Sequence, residues 1–80
     1  MAASTLRNVN RAIRLASIPV ELVRGDGYHY FVYDNEERGV FETYSVYVPY
    51  TSIYTVPRWV EEAEEAYLYI TETLNRAVVG

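Results

Sequence analysis

Apolar residues first recur at helical spacing: Leu6, Val9, Ala12, Ile13 and Ala16 fall on one stripe, with Ser4 or Thr5 ahead of them as a capping residue. At about 100° per residue, Arg7, Arg11 and Arg14 gather on the opposite side, so the stripe can pack inward while the arginines face out. Pro19 closes this helix. The period then changes. Residues 20–24 read as a short strand, Gly25-Asp26-Gly27 supplies residues that tolerate a hairpin turn, and residues 28–33 form the return strand. A polar stretch ending in Gly39 makes a second turn, after which residues 40–48, rich in β-branched and aromatic side chains, predict a third strand, the longest of the three.

Residues 49–54 leave the sheet. Thr55 is placed to cap a final helix whose first turn tolerates Pro57. Trp59, Val60, Ala63, Ala66, Tyr67, Ile70, Leu74 and Ala77 form its buried stripe, and Glu61, Glu65 and Glu72 lie on the other side. Arg58 to Glu62 and Glu72 to Arg76 are spaced as i,i+4 ion pairs. Both helical stripes are buried most simply on one face of the sheet. The expectation is a single domain over residues 1–80 of α+β class, a two-layer helix–three-stranded antiparallel sheet–helix arrangement, α-β-β-β-α.

Eighty residues build only a marginal core, so oligomerisation, in the simplest case a homodimer, is expected to add to it. The absence of cysteine removes disulfides, thiolate metal sites and thiol nucleophiles, and suits a cytoplasmic setting. No stretch approaches the roughly 18 apolar residues of a membrane span, which argues against a membrane role. The arginines that precede the first acid, Glu21, resemble a transit peptide, but the same segment supplies a helix the core needs. All seven basic residues are arginine, and the charge is uneven: residues 1–24 carry four arginines against Glu21, and residues 25–80 three against ten acids.

Catalytic and metal chemistry find little to work with. His29 is the sole histidine, with no nucleophile and orienting carboxylate spaced around it, and reads as a packed or rim residue. Asp34-Asn35-Glu36-Glu37 lacks the alternating ligands and central glycine of a calcium loop. Glu61, Glu62, Glu64 and Glu65 share one solvated environment, whereas an acid and a base need environments that separate their pKa values. The chain is therefore expected to be no enzyme and to carry no cofactor.

Tyrosine is the informative residue. All nine lie beyond the first strand, and alternation sends aromatics to both faces of the sheet: Tyr28 and Tyr30 against His29, Phe31 and Tyr33, and Phe41 and Tyr47 against Tyr44. Helices cover one face, so the other presents rings whose hydroxyls tolerate water, a composition suited to a protein interface. Tyrosines also suit strands for their own sake, so number alone does not separate the two readings. Tyr30, Tyr44 and Tyr47 are the candidate sheet residues for binding a protein partner, and Glu61, Glu65 and Leu68 the candidates on the acidic helix.

Two alternatives stand beside this one. The element order is shared with double-stranded RNA-binding domains, and Arg7, Arg11 and Arg14 would then be the phosphate contacts. Against it, Glu61-Glu62-Ala63-Glu64-Glu65 occupies the start of the last helix, where such domains are basic. A tyrosine face that serves only to close a homodimer is the purely structural alternative.

The runs Glu21-Leu22-Val23-Arg24-Gly25-Asp26-Gly27-Tyr28-His29-Tyr30-Phe31, Thr43-Tyr44-Ser45-Val46-Tyr47-Val48 and Trp59-Val60-Glu61-Glu62-Ala63 resemble small orphan proteins encoded in phages and prophages. The resemblance covers roughly residues 20–65 and is one of texture, a β-hairpin followed by a tryptophan-bearing helix, with no chemical motif. It implies an accessory factor that binds and modulates a host protein in a bacterial cytoplasm.

Overall fold

Antiparallel pairing organises the middle of the chain. In the computed structural model, which describes the backbone of residues 3–79 and the side chains of residues 3–76, the elements run α1 (Leu6–Leu15), β1 (Glu21–Arg24), β2 (His29–Asn35), β3 (Val40–Val46), a 3-10 turn (Thr51–Ile53) and α2 (Val56–Val79). The strands are ordered β1-β2-β3, so β2 is central, and the fold is the expected two-layer α+β arrangement. Strand ends differ in detail from the sequence expectation. β2 continues to Asn35 and equals β3 in length, while β3 stops at Val46. There the Val48 N–H turns back onto the Val46 carbonyl at 2.9 Å, which takes residue 48 out of the ladder.

Local signals set the helix ends. Thr5, not Ser4, caps α1, its Oγ1 accepting from the Asn8 N–H at 3.2 Å. The helix ends ahead of Pro19. Ser17 takes a left-handed φ of 59°, its N–H donates to the Arg14 carbonyl, and the Ile18 N–H donates to Ile13, the paired bonds of a Schellman cap. Thr55 caps α2 as expected, accepting from the Arg58 N–H at 3.3 Å.

Trp59 sits at the centre of the core. Its ring is fully buried, packs against Tyr54, His29 and Phe31 with centroids 5.0, 5.8 and 6.1 Å away, and its Nε1–H donates to the Thr51 carbonyl at 2.8 Å. Val9 and Ile13 from α1, Leu22 and Phe31 from the sheet, and Ala63, Ala66 and Ile70 from α2 complete the interior. The alanines let α2 lie close to the sheet, and large rings fill the space beside them. Ala77, the last member of the expected α2 stripe, lies outside the described side chains.

His29 is a packed residue, wholly buried beneath Trp59. A carbonyl can only accept, so Nδ1 carries the proton that bonds the Val48 carbonyl at 2.8 Å, and this bond holds the chain as it leaves β3. Nε2 is buried with no hydrogen-bond partner among the described residues.

Asn10 was not singled out by the sequence pattern, although it stands one position after Val9 within the apolar stripe of α1. Its Nδ2 donates to the Leu22 carbonyl at 2.9 Å and its Oδ1 accepts from the Leu22 N–H at 2.7 Å. One side chain thus satisfies both backbone groups that β1 turns outward at Leu22, closing that sheet edge and fixing α1 to it.

Candidate functional site

Parity along the strands decides which side of the sheet is free. His29, Phe31 and Tyr33 of β2 are buried under the helices, and register places Leu22 beside Phe31, and Val46, Tyr44 and Glu42 opposite them on the same side. The other side carries Tyr28, Tyr30 and Val32, with Val23 on one flank and Phe41, Thr43, Ser45 and Tyr47 on the other, and no helix packs on it.

This open face has an aromatic centre. Tyr28 stacks on Tyr47 with centroids 6.1 Å apart and planes at 29°, and lies 5.9 Å from Tyr30. Tyr47 is 83% exposed and Phe41 64%. A shallow groove of about 280 Å³ runs between Tyr28, Tyr30, Phe41, Thr43 and Ser45, so rings wall both ends of a floor of small hydroxyl side chains. Gly25 seats the central ring: a Cβ there would meet Tyr28 ring atoms at 2.6 Å, closer than real contacts allow. The adjoining turn is closed by Gly27 at φ +80°.

Of the three tyrosines expected to act together, the structure brings Tyr30 and Tyr47 to this face and takes Tyr44 away from it. Tyr44 is half-buried on the helix side, edge-on to Tyr69 of α2 with centroids 5.4 Å apart, because it pairs with Phe31, whose side chain points into the core. Tyr28 and Phe41 take its place. Their signal was present in the sequence as alternation with Tyr30 and Tyr47.

On α2, Glu61, Glu65 and Leu68 are exposed on one surface, with Leu68 53% accessible. Arg58 is held beside it by Glu62 at 2.9 Å and lies over the Tyr54 ring at 5.2 Å. Among the described residues this is the one ion pair, and Glu72 and Arg76 do not pair. The surface is acidic and holds a shallow cavity of about 330 Å³ between Arg58, Glu61, Glu62, Glu64, Glu65 and Leu68, which is its one apolar lining residue. Arg7, Arg11 and Arg14 are exposed on the outer side of α1, and none is within salt-bridge distance of an acid among the described residues.

Among the described residues, no three His, Asp or Glu side chains come together in a way that could hold a metal ion, and no helix is long and apolar enough to cross a membrane. Fold and surface define an α+β domain with one helix-free aromatic sheet face. No protein-family model, curated protein or solved structure matches the chain.

Proposed function

We propose that this protein is a non-enzymatic protein-binding module, acting in the cytoplasm, that contacts its partner through the open sheet face. The observation that supports this reading most directly is the cluster in which half-buried Tyr28, beside half-buried Tyr30, stacks on exposed Tyr47, with exposed Phe41 on the same face. Tyrosine on a rigid strand loses little conformational freedom on binding, buries a large ring and keeps a hydroxyl for hydrogen bonding, which is why it recurs among residues that dominate interface energetics. The resemblance to small phage proteins points the same way, to an accessory factor whose partner is a host protein.

Replacing Tyr30 and Tyr47 together with alanine is expected to weaken partner binding by at least about 2 kcal/mol while leaving the thermal transition within a few degrees of the parent. Capture of a partner by tagged wild-type protein, followed by titration of the double variant against that partner, checks this. Equal affinity would remove the open face as the contact surface.

A second reading draws on the three arginines of α1, which pair with no acid among the described residues. Were Arg7, Arg11 and Arg14 phosphate contacts, the affinity for duplex nucleic acid would fall with a log–log salt slope of about −3. A flat salt response, or no binding at low salt, eliminates this reading.

A further inference from the structure

The two edges of the sheet are finished differently. Asn10 blocks the outer edge of β1 at Leu22, whereas the outer edge of β3 has no hydrogen-bond partner among the described residues. Register shows which groups that edge presents. The Gly25 N–H donates to the Tyr28 carbonyl at 2.8 Å, making 25 and 28 a hydrogen-bonded pair. Antiparallel alternation then makes Val23 with Tyr30 a second such pair and turns the Leu22 backbone outward, where Asn10 meets it. Across β2 the same alternation assigns the ladder bonds to His29 with Val46, Phe31 with Tyr44 and Tyr33 with Glu42. The N–H and C=O groups of Phe41, Thr43 and Ser45 therefore point away from the sheet.

Thr43 is the middle residue of β3. A second β3 laid antiparallel with a two-fold axis through Thr43 pairs Val40 with Val46, Phe41 with Ser45, Glu42 with Tyr44 and Thr43 with itself. Every outward N–H of Phe41, Thr43 and Ser45 then meets an outward carbonyl of the other strand. The single charge of β3, on Glu42, faces a tyrosine and not another carboxylate. Neighbouring registers are worse. An axis through Glu42 sets the two carboxylates directly opposite each other, and an axis through Tyr44 requires the Tyr47 backbone to pair with Phe41, beyond the end of β3 where the Val48 N–H bends the chain back onto the Val46 carbonyl.

We propose that β3 is the interface between two copies of this chain, joined about Thr43 into one continuous six-stranded sheet. The exposed aromatics support a second copy as the occupant. Phe41 and Tyr47 stand toward opposite ends of the strand on the open face, so the two-fold axis places Phe41 of each copy diagonally beside Tyr47 of the other. Tyr69, 59% exposed, flanks the same edge on the helix side through its contact with Tyr44. At about 200 Å² per ring, the exposed portions of these three side chains supply about 400 Å² per protomer. With the backbone of seven residues added, this approaches the about 600–1,000 Å² per partner of a stable interface. Phe41 and Tyr47 are thereby shared with the surface proposed for partner binding, while Tyr28 and Tyr30 of both copies remain on the open face; the Thr43 variants below keep every tyrosine, so their outcome is read separately from that of Tyr30→Ala with Tyr47→Ala.

Light scattering on the purified full chain is expected to give twice the 9.3 kDa chain mass at tens of micromolar. Thr43→Pro removes an N–H that the chain itself does not use, at an edge position where proline is tolerated. The variant should fold with an unchanged circular dichroism spectrum and dimerise at least about tenfold more weakly. A cross-link tests the register independently of that fold. The chain has no cysteine, and in the proposed pairing two Thr43→Cys residues have Cα atoms about 5.5 Å apart, within disulfide reach. Ser45→Cys residues stand four positions out of register, about 13 Å apart, and should not join. A monomeric wild type, a dimer that survives a folded Thr43→Pro, or Ser45→Cys cross-linking as readily as Thr43→Cys would each overturn the proposal.

Discussion

Asn10→Ala is expected to lower the unfolding free energy by about 3 kcal/mol, a large effect for the loss of one short polar side chain. The asparagine amide satisfies the N–H and the C=O of Leu22 at once, at 2.7 and 2.9 Å, in a buried position. Alanine leaves both groups without a partner where α1 shields them from water, and each unsatisfied buried group costs about 1–3 kcal/mol. The outer edge of β1 is freed at the same time, so the variant should also aggregate more readily on heating. Urea denaturation followed by circular dichroism reads the loss directly. A shift below about 1 kcal/mol would mean that water replaces the amide at little cost and that Asn10 is not the clasp between α1 and the sheet.

Trp59→Ala should cost more still, about 4–5 kcal/mol, against a total stability of about 4–12 kcal/mol for a chain of this size. The indole is fully buried, touches the His29 and Phe31 rings of β2 and the Tyr54 ring of the segment before α2, and donates to Thr51. Its removal leaves a cavity that the small neighbours Ala63 and Ala66 cannot fill and orphans the Thr51 carbonyl. Trp59→Phe narrows the comparison: it keeps one aromatic ring, loses the other together with its donor N–H, and is expected to cost about 2 kcal/mol. Chemical denaturation of both variants, read by far-ultraviolet circular dichroism because the only tryptophan is gone, checks the order. Equal losses for the two would place the stabilising role in the donor and the lost ring and not in the packing of the ring that remains.

These two residues also mark how far the chain can be read without its structure. Trp59 was legible: it begins an apolar stripe with Ala63, Ala66 and Ile70 at helical spacing, and that period requires a buried face. Asn10 was not, because a polar residue beside Val9 looks like a break in a stripe until the strand whose edge it satisfies is in place. Pairing between residues 12 positions apart leaves no local trace. The site divides in the same way. The alternation that groups Tyr28 with Tyr30, and Phe41 with Tyr47, is visible along each strand, but it says nothing about how one strand's faces match another's. Tyr44 was placed with Tyr30 and Tyr47 for that reason, and the register of β2 against β3 separates them.

Helix and strand periods, the threonine caps, the Asp26-Gly27 turn and the acidic outer face of α2 are properties of neighbouring residues, so the chain's order of amino acids carries them and the α-β-β-β-α architecture follows. Which sheet face the helices cover is a property of contacts between distant segments. It was settled when Phe31 and His29 packed beneath Trp59, and that packing left Tyr28, Tyr30 and Tyr47 on the outside. The same holds for the two edges: only with α1 laid beside β1 does one edge become blocked at Leu22 by Asn10 and the other, along β3, stay open.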